Sequence, residues 1–250
     1  MKPSELSLSA EHSPDAVRRR LSAPPSSSYL RDFIYGAIDG AITTFAVVAG
    51  VQGADLSASV VLILGGANLI ADGFSMAVSN FLGLRAERQQ VERARLEEER
   101  HVREIPEGER EEIRQIFAAK GFEGGDLERV VEVITADRDL WVSTMLNEEL
   151  GLGGARPKPL RAGATTFLAF IAVGSLPLIA FAADAIAPDG LTHAFAWSAT
   201  MTGVAFFFVG SLKARFVEQA WWRAGLETLA IGGAAAVLAY ATGAFLAAVV

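Results

Sequence analysis

Five apolar stretches, at 33–51, 59–84, 160–183, 193–212 and 226–250, leave this chain few ways to fold in water. Each approaches the ~20 residues that a helix needs to cross ~30 Å of hydrocarbon. Between the second and third lies a charged block, roughly 85–155, that no bilayer core accepts. The pattern predicts an all-α polytopic membrane protein of five transmembrane helices, with a small helical cytoplasmic domain inserted between helices two and three. The tail 1–28 is polar, rich in Ser and Pro and free of apolar periodicity, and reads as disordered. It lacks the apolar centre of a cleaved signal peptide, so the first span is expected to stay in the mature chain. The expected domains are the tail 1–28, helices one and two in 29–84, the acidic cytoplasmic unit 85–155, and helices three to five in 156–250.

Basic residues give the orientation. All 22 Lys and Arg fall in the tail 1–32, the block 85–161 and the loop 213–223, while 52–58, 184–192 and the C-terminus hold none. Basic loops collect on the cytoplasmic side, which places the N-terminus and the charged block there and the C-terminus outside or in a lumen. The net charge of −7 belongs to the block, where 85–155 holds 18 acidic against 11 basic side chains. That sign argues against nucleic acid as a partner, because a phosphate backbone is bound by clustered Lys and Arg. It suits cations, although the same pattern describes a merely solvated acidic domain. There is no Cys, which excludes disulfides, thiolate metal sites and thiol switches.

No breaker separates Leu84 from the charged run that follows, so the second span is predicted to continue as one long helix up to Pro106. Residues 107–120 form a second helix with Gly121 as its stop, Asp126 opens a third, and Asp137–Leu150 forms a fourth. GLGGARPKP then links back to the membrane. Gly36 and Gly40 in span one, and Gly65 and Gly66 in span two, suit close helix packing.

Two aspartates stand inside these spans, Asp39 in the first and Asp72 in the second. A carboxylate at membrane depth costs at least ~2.5 kcal/mol and normally faces a cavity, a partner or an ion path. Asn68, Asp72, Met76 and Asn80 recur every four residues and share one slowly drifting face, as do Asp39 and Thr43. Oxygen ligands with one thioether suit a borderline divalent ion such as Fe²⁺, although Met76 alone reads equally well as core filler. In the block, Glu98 and His101, Glu109 and Glu112, and Met145 and Glu149 are three pairs at helical spacing. Glu-x-x-His is a recurrent iron-ligand spacing in bundles, and a Glu-rich surface helix also yields it without a metal.

GAIDGAITTFAVVAG, ANLIADGFSMAVSNFL, EEERHVREIPEGEREEI and WVSTMLNEELGL, in this order, resemble the vacuolar iron transporter family in its bacterial-type form. The resemblance covers roughly 30–250, with PLRAGATTFLAF opening span three and FVGSLKAR closing span four. It implies a homodimer of five-span subunits that moves Fe²⁺ out of the cytosol in exchange for protons, through a path at the dimer interface lined by spans one and two. The membrane acid and methionine of that family fall on Asp39 and Met76, and its cytoplasmic metal ligands on Glu98, Glu109, Glu112, Met145 and Glu149. His101 stands where many members carry Glu, Leu146 where some carry a second Met, and Ile38 where an Asn often precedes the acid.

The sequence therefore leads to a proton-coupled exporter of divalent metal in a lipid membrane, with Fe²⁺ as cargo. Mn²⁺ export by the same route, and a membrane-anchored iron-binding or ferroxidase protein, are the alternatives. The expected transport path holds Asp39, Asp72, Met76, Asn68, Thr43 and Asn80. The expected metal ligands are Glu98, His101, Glu109, Glu112, Met145 and Glu149, together with Asp39 and Met76. No nucleophile–base constellation or phosphate loop is found, His12 lies in the tail and His193 at a span boundary, so no enzyme and no permanent cofactor is expected. The lack of eukaryotic targeting features favours a bacterial inner membrane.

Overall fold

The computed structural model describes residues 10–22, 28–154, 156–186, 193–216 and 219–250, and among these no strand occurs. In chain order the helices are α1 (Pro14–Ser22), α2 (Leu30–Gly53), α3 (Ala58–Glu104), α4 (Pro106–Ala119), α5 (Gly124–Thr135), α6 (Arg138–Glu148), α7 (Pro159–Gly174), α8 (Leu176–Ile186), α9 (Ala194–Lys213) and α10 (Trp221–Val249). The expectation of a disordered tail is corrected over Pro14–Ser22, where a nine-residue helix with no buried residue forms. Asp15 in its first turn and Arg19 and Arg20 in its last suit the helix dipole, a local signal that apolar periodicity does not register. Residues 1–9 and 23–27 of the tail lie outside the described residues. The chain divides into two units, one of residues 28–87 and 157–250, the other of residues 1–27 and 88–156.

In the first unit α2, α3, α9 and α10 are each long and apolar enough to cross a membrane. α3 continues unbroken for 47 residues, a rise of ~70 Å and over twice the hydrocarbon thickness. The third span is not the single helix expected from 160–183: α7 and α8 reach the necessary length only as a pair bent by 46°. Pro177, in the first turn of α8, brings no N–H and crowds the preceding turn, which breaks the helix between Gly174 and Leu176. Its carbonyl accepts a 2.6 Å hydrogen bond from the Ser198 hydroxyl of α9, so the bend leaves that oxygen satisfied inside a low-dielectric region.

α2 is the most buried of these helices and packs along α7, α9 and α10. Its small residues permit this. A Cβ on Gly40 would stand 2.5 Å from the Phe170 carbonyl oxygen, and one on Gly174 would stand 2.7 Å from the Gly40 oxygen, so the two backbones nearly touch. Around them Phe45, Val48, Phe170, Leu178, Phe181 and Phe206 form the apolar core. Gly40→Ala is expected to destabilise the protein in detergent by about 1–3 kcal/mol through overpacking, despite alanine's better helix propensity. Gly233→Ala, where an added Cβ meets nothing within 4 Å, is expected to be neutral or stabilising. Thermal unfolding followed by tryptophan fluorescence compares the two.

The second unit is built from the C-terminal part of α3 with α4, α5 and α6. Ile113, Val131, Ile134, Trp141 and Met145 make its core, with Val102, Phe117 and Leu127 packed against it. Its turns are made by residues suited to them. Gly121 adopts φ +94° just past α4, and the Phe122 amide bonds back to Phe117 at 3.2 Å, a glycine-closed helix end. Asp137 caps α6 by accepting the Leu140 amide at 3.0 Å. The Arg110 guanidinium lies 5.6 Å from the Trp141 ring centroid and donates to Thr135, closing one side of the core.

Candidate metal centre and membrane carboxylates

The reversal at Ile105–Pro106 determines the chemistry of the second unit. Glu98 and His101 occupy one face of α3, and Pro106 at the first position of α4 turns the chain so that Glu109 meets them. One ligand atom from each of Glu98, His101 and Glu109 lies within 4.8 Å of the other two. His101 Nδ1 is 3.5 Å from Glu109 Oε1 and 3.9 Å from Glu98 Oε1. Both acids are buried, Glu98 at 5% exposure and Glu109 at 2%, and each keeps its Oε2 buried with no hydrogen-bond partner among the described residues. Two buried carboxylates with unsatisfied oxygens are costly unless a proton or a cation joins them.

The electrostatics of the cluster follow from this crowding. Burial, then the charges of Glu112, Glu98 and Glu149, push Glu109 up to about 7 from the ordinary 4.5. Glu98 is raised by burial, an effect opposed in part by His101. Glu149 is raised by burial and by the charges of Glu112 and Glu98. Glu112 and Glu149 are exposed, yet their charges reach the buried pair. The structure thus brings Glu98, His101 and Glu109 into one cluster, with Glu112 and Glu149 in electrostatic contact with it. Met145 sits fully buried in the apolar core of the same unit. The orphaned oxygens and the mixed carboxylate–imidazole donor set fit a divalent cation.

In the membrane unit the expected polar face of α3 divides by environment. Asp72 is exposed, whereas Asn68, Met76 and Asn80 are half-buried. Asn80 acts as a clamp: its amide donates to Asp32 Oδ1 at 3.0 Å and to Thr166 Oγ1 at 2.9 Å, joining α3 to α2 and α7. Met76 packs against the apolar core. Thr43 donates to the Asp39 backbone carbonyl at 2.9 Å, a bond within α2. Asn68 keeps its Nδ2 buried with no hydrogen-bond partner among the described residues. Asp39 is half-buried on α2. Asp32 and Thr166, the partners of Asn80, are not singled out by the sequence reading; Asp32 at the threshold of span one was the available signal, while Thr166 lies 86 residues from Asn80.

A helical protein with several membrane-crossing helices, acids within two of them and a buried carboxylate–imidazole cluster belongs to the class of integral membrane proteins that handle cations. The profile described as the VIT family matches residues 30–244, and the chain belongs to that family. It is similar to a protein named vacuolar iron transporter from Toxoplasma gondii, at 36% identity over 228 residues, 88% of this chain and 75% of the relative. It is also similar to vacuolar iron transporter 1 of Arabidopsis thaliana, at 31% identity over 84% of this chain and 83% of the relative. The Eucalyptus grandis vacuolar iron transporter 1 is 30% identical over 84% of each chain. Members of this family are transporters rather than enzymes. These relatives are eukaryotic and carry vacuolar names, so they lend no support to the bacterial inner membrane favoured by the sequence reading.

Proposed function

We propose that this chain exports Fe²⁺ from the cytosol in exchange for protons, as a homodimer whose pore is lined by α2 and α3. The observation that carries the reading is the placement of Asp39 and Asp72 within two consecutive helices, each long and apolar enough to cross a membrane. Asp72 is exposed on a stretch of α3 that also exposes Ile63, Ile70 and Phe74. An ionised carboxylate facing lipid is costly, whereas a second subunit laid against this stretch gives it a lined path. The N-terminus and the acidic unit face the cytosol in this reading, five spans cross the bilayer with the bent α7–α8 pair as the third, and the C-terminus lies on the other side. The Glu98–His101–Glu109 cluster gathers Fe²⁺ from the cytosol, with Glu112, Glu149 and the thioether of Met145 assisting. Asp39 and Met76 from both subunits hold the ion at mid-membrane, along a path that also includes Asp72, Asn68, Thr43 and Asn80. Protonation of Asp39 from the far side releases it.

The relatives' names support iron as cargo, and their vacuolar naming favours an acidic compartment as destination. Fe²⁺ flux into proteoliposomes under an imposed pH gradient tests the reading. Uptake that rises with an acid interior and collapses when the gradient is dissipated is the expected result. Flux indifferent to the gradient removes the proton coupling, and a folded dimer that moves no divalent ion leaves iron binding as the function. Competition by Mn²⁺ in the same assay decides between the two cargoes.

A further inference from the structure

Building on the reading of the carboxylate–imidazole cluster as a metal site, we propose that His101 sorts the ions that this site admits, favouring Fe²⁺, Co²⁺ and Zn²⁺ over Mn²⁺, Mg²⁺ and Ca²⁺. The geometry gives the imidazole a ligand's position. Its Nδ1 stands 3.5 Å from Glu109 Oε1 and 3.9 Å from Glu98 Oε1, both beyond the ~2.7–3.2 Å of an N–H···O hydrogen bond. Ligand atoms held ~2.1 Å from one ion lie ~3.0 Å apart at right angles and ~3.4 Å apart at the tetrahedral angle. The observed separations are therefore closer to those of ligands around a common centre than to a bonded pair. The buried Oε2 atoms of Glu98 and Glu109, without partners among the described residues, supply further oxygen donors at the same place.

What the cluster's donors can distinguish follows from their chemistry. Glu98 and Glu109 are hard oxygen donors, and the exposed Glu112 and Glu149 add a negative field that attracts every divalent cation alike. Oxygen ligands suit Mn²⁺, Mg²⁺ and Ca²⁺ as well as Fe²⁺. His101 contributes the nitrogen of the cluster, and imidazole strengthens binding along the series from Mn²⁺ through Fe²⁺ to Co²⁺ far more than a carboxylate does. Among the three donors of the cluster, discrimination therefore rests chiefly on one side chain, and replacing it by a carboxylate leaves oxygen donors that separate these ions far less.

The test uses the full-length protein in detergent at neutral pH, with Co²⁺ and Mn²⁺ as separate titrants. Wild type is expected to bind Co²⁺ at least about thirtyfold more tightly than Mn²⁺, and H101E to lower that ratio about tenfold, chiefly by weakening Co²⁺. Pulsed electron paramagnetic resonance of bound Mn²⁺ gives a second readout, with ¹⁴N coupling expected in wild type and absent in H101E. H101Q replaces H101E should the latter fail to accumulate, and the wild-type spectrum needs no variant. An unchanged ratio, or bound Mn²⁺ without nitrogen coupling in wild type, overturns the role of His101. The underlying site is judged separately by E98Q and E109Q: if these leave the binding of both metals intact, the cluster is not the metal site and the proposal falls with it.

Discussion

Asp39→Asn is expected to reduce gradient-driven Fe²⁺ flux to the level of protein-free vesicles while leaving the fold intact. The carboxylate is half-buried on α2 and makes no side-chain hydrogen bond to another described residue. Asparagine keeps the shape and removes both the charge and the titrating proton, so packing has little reason to change. On the proposed mechanism the carrier loses its ion ligand and its coupling group in one substitution. Elution volume and melting temperature matching wild type, with no flux, is the expected pair of results. Flux above one tenth of wild type would remove Asp39 from the mechanism.

The second large effect concerns pH and the buried acid pair. Glu109 is pushed up to about 7 by burial and by the charges of Glu112, Glu98 and Glu149, while an unfolded chain titrates it near its ordinary 4.5. The folded unit therefore binds the proton more tightly than the unfolded chain. Stability from this group is fully present below about pH 4.5 and is lost as the pH rises through about 7. Without metal, the protection factors of the Ile113 and Met145 amides in the neighbouring core, each corrected for the intrinsic exchange rate at its pH, are expected to be larger at pH 5 than at pH 8. Saturating divalent metal should reverse the order, because it neutralises the carboxylates where the proton has left. Metal affinity follows the opposite course to apo stability. Below pH 7 each unit of acidification should weaken binding about tenfold while one proton is displaced, and Glu109→Gln should flatten that slope and lower affinity at pH 8. Titrations at pH 6, 7 and 8 measure both, and a wild-type slope of zero would exclude Glu109 as a ligand.

Much of the architecture was legible because hydrocarbon imposes a length and a polarity that few other settings do. The apolar stretches of 33–51, 59–84, 193–212 and 226–250 coincide with α2, the first part of α3, α9 and α10. The continuity of α3 through Arg85 to Glu104 follows from the absence of any breaker. The broken third span was not read, although Gly174 and Pro177 both lie within it, because hydropathy sums over a window and is blind to one missing amide. In the carboxylate–imidazole cluster, Glu98 and His101 were visible as a spacing, and Pro106 marked the turn that returns Glu109 to them. The clamp made by Asn80 was not visible: helical periodicity placed it with Asp72, whereas its partners Asp32 and Thr166 come from other helices. Met145 shows the same limit, since spacing pairs it with Glu149 while packing puts it among Ile113, Val131 and Trp141.

The contact between Gly40 and Gly174 constrains how this protein can move. Two backbones that meet through glycine have no side chains to slide over one another, and turning α2 by a single residue, ~100°, would bring Ala41 or Asp39 against the carbonyls of α7 in place of Gly40. Such a rotation is sterically closed. α2 and α7 therefore travel as one beam, and Asp39 is mounted on it at a fixed angle. Whatever alternation the carboxylate experiences between one side of the membrane and the other must come from surfaces that shift around it, or from the whole beam tilting, and not from the helix revolving about its own axis.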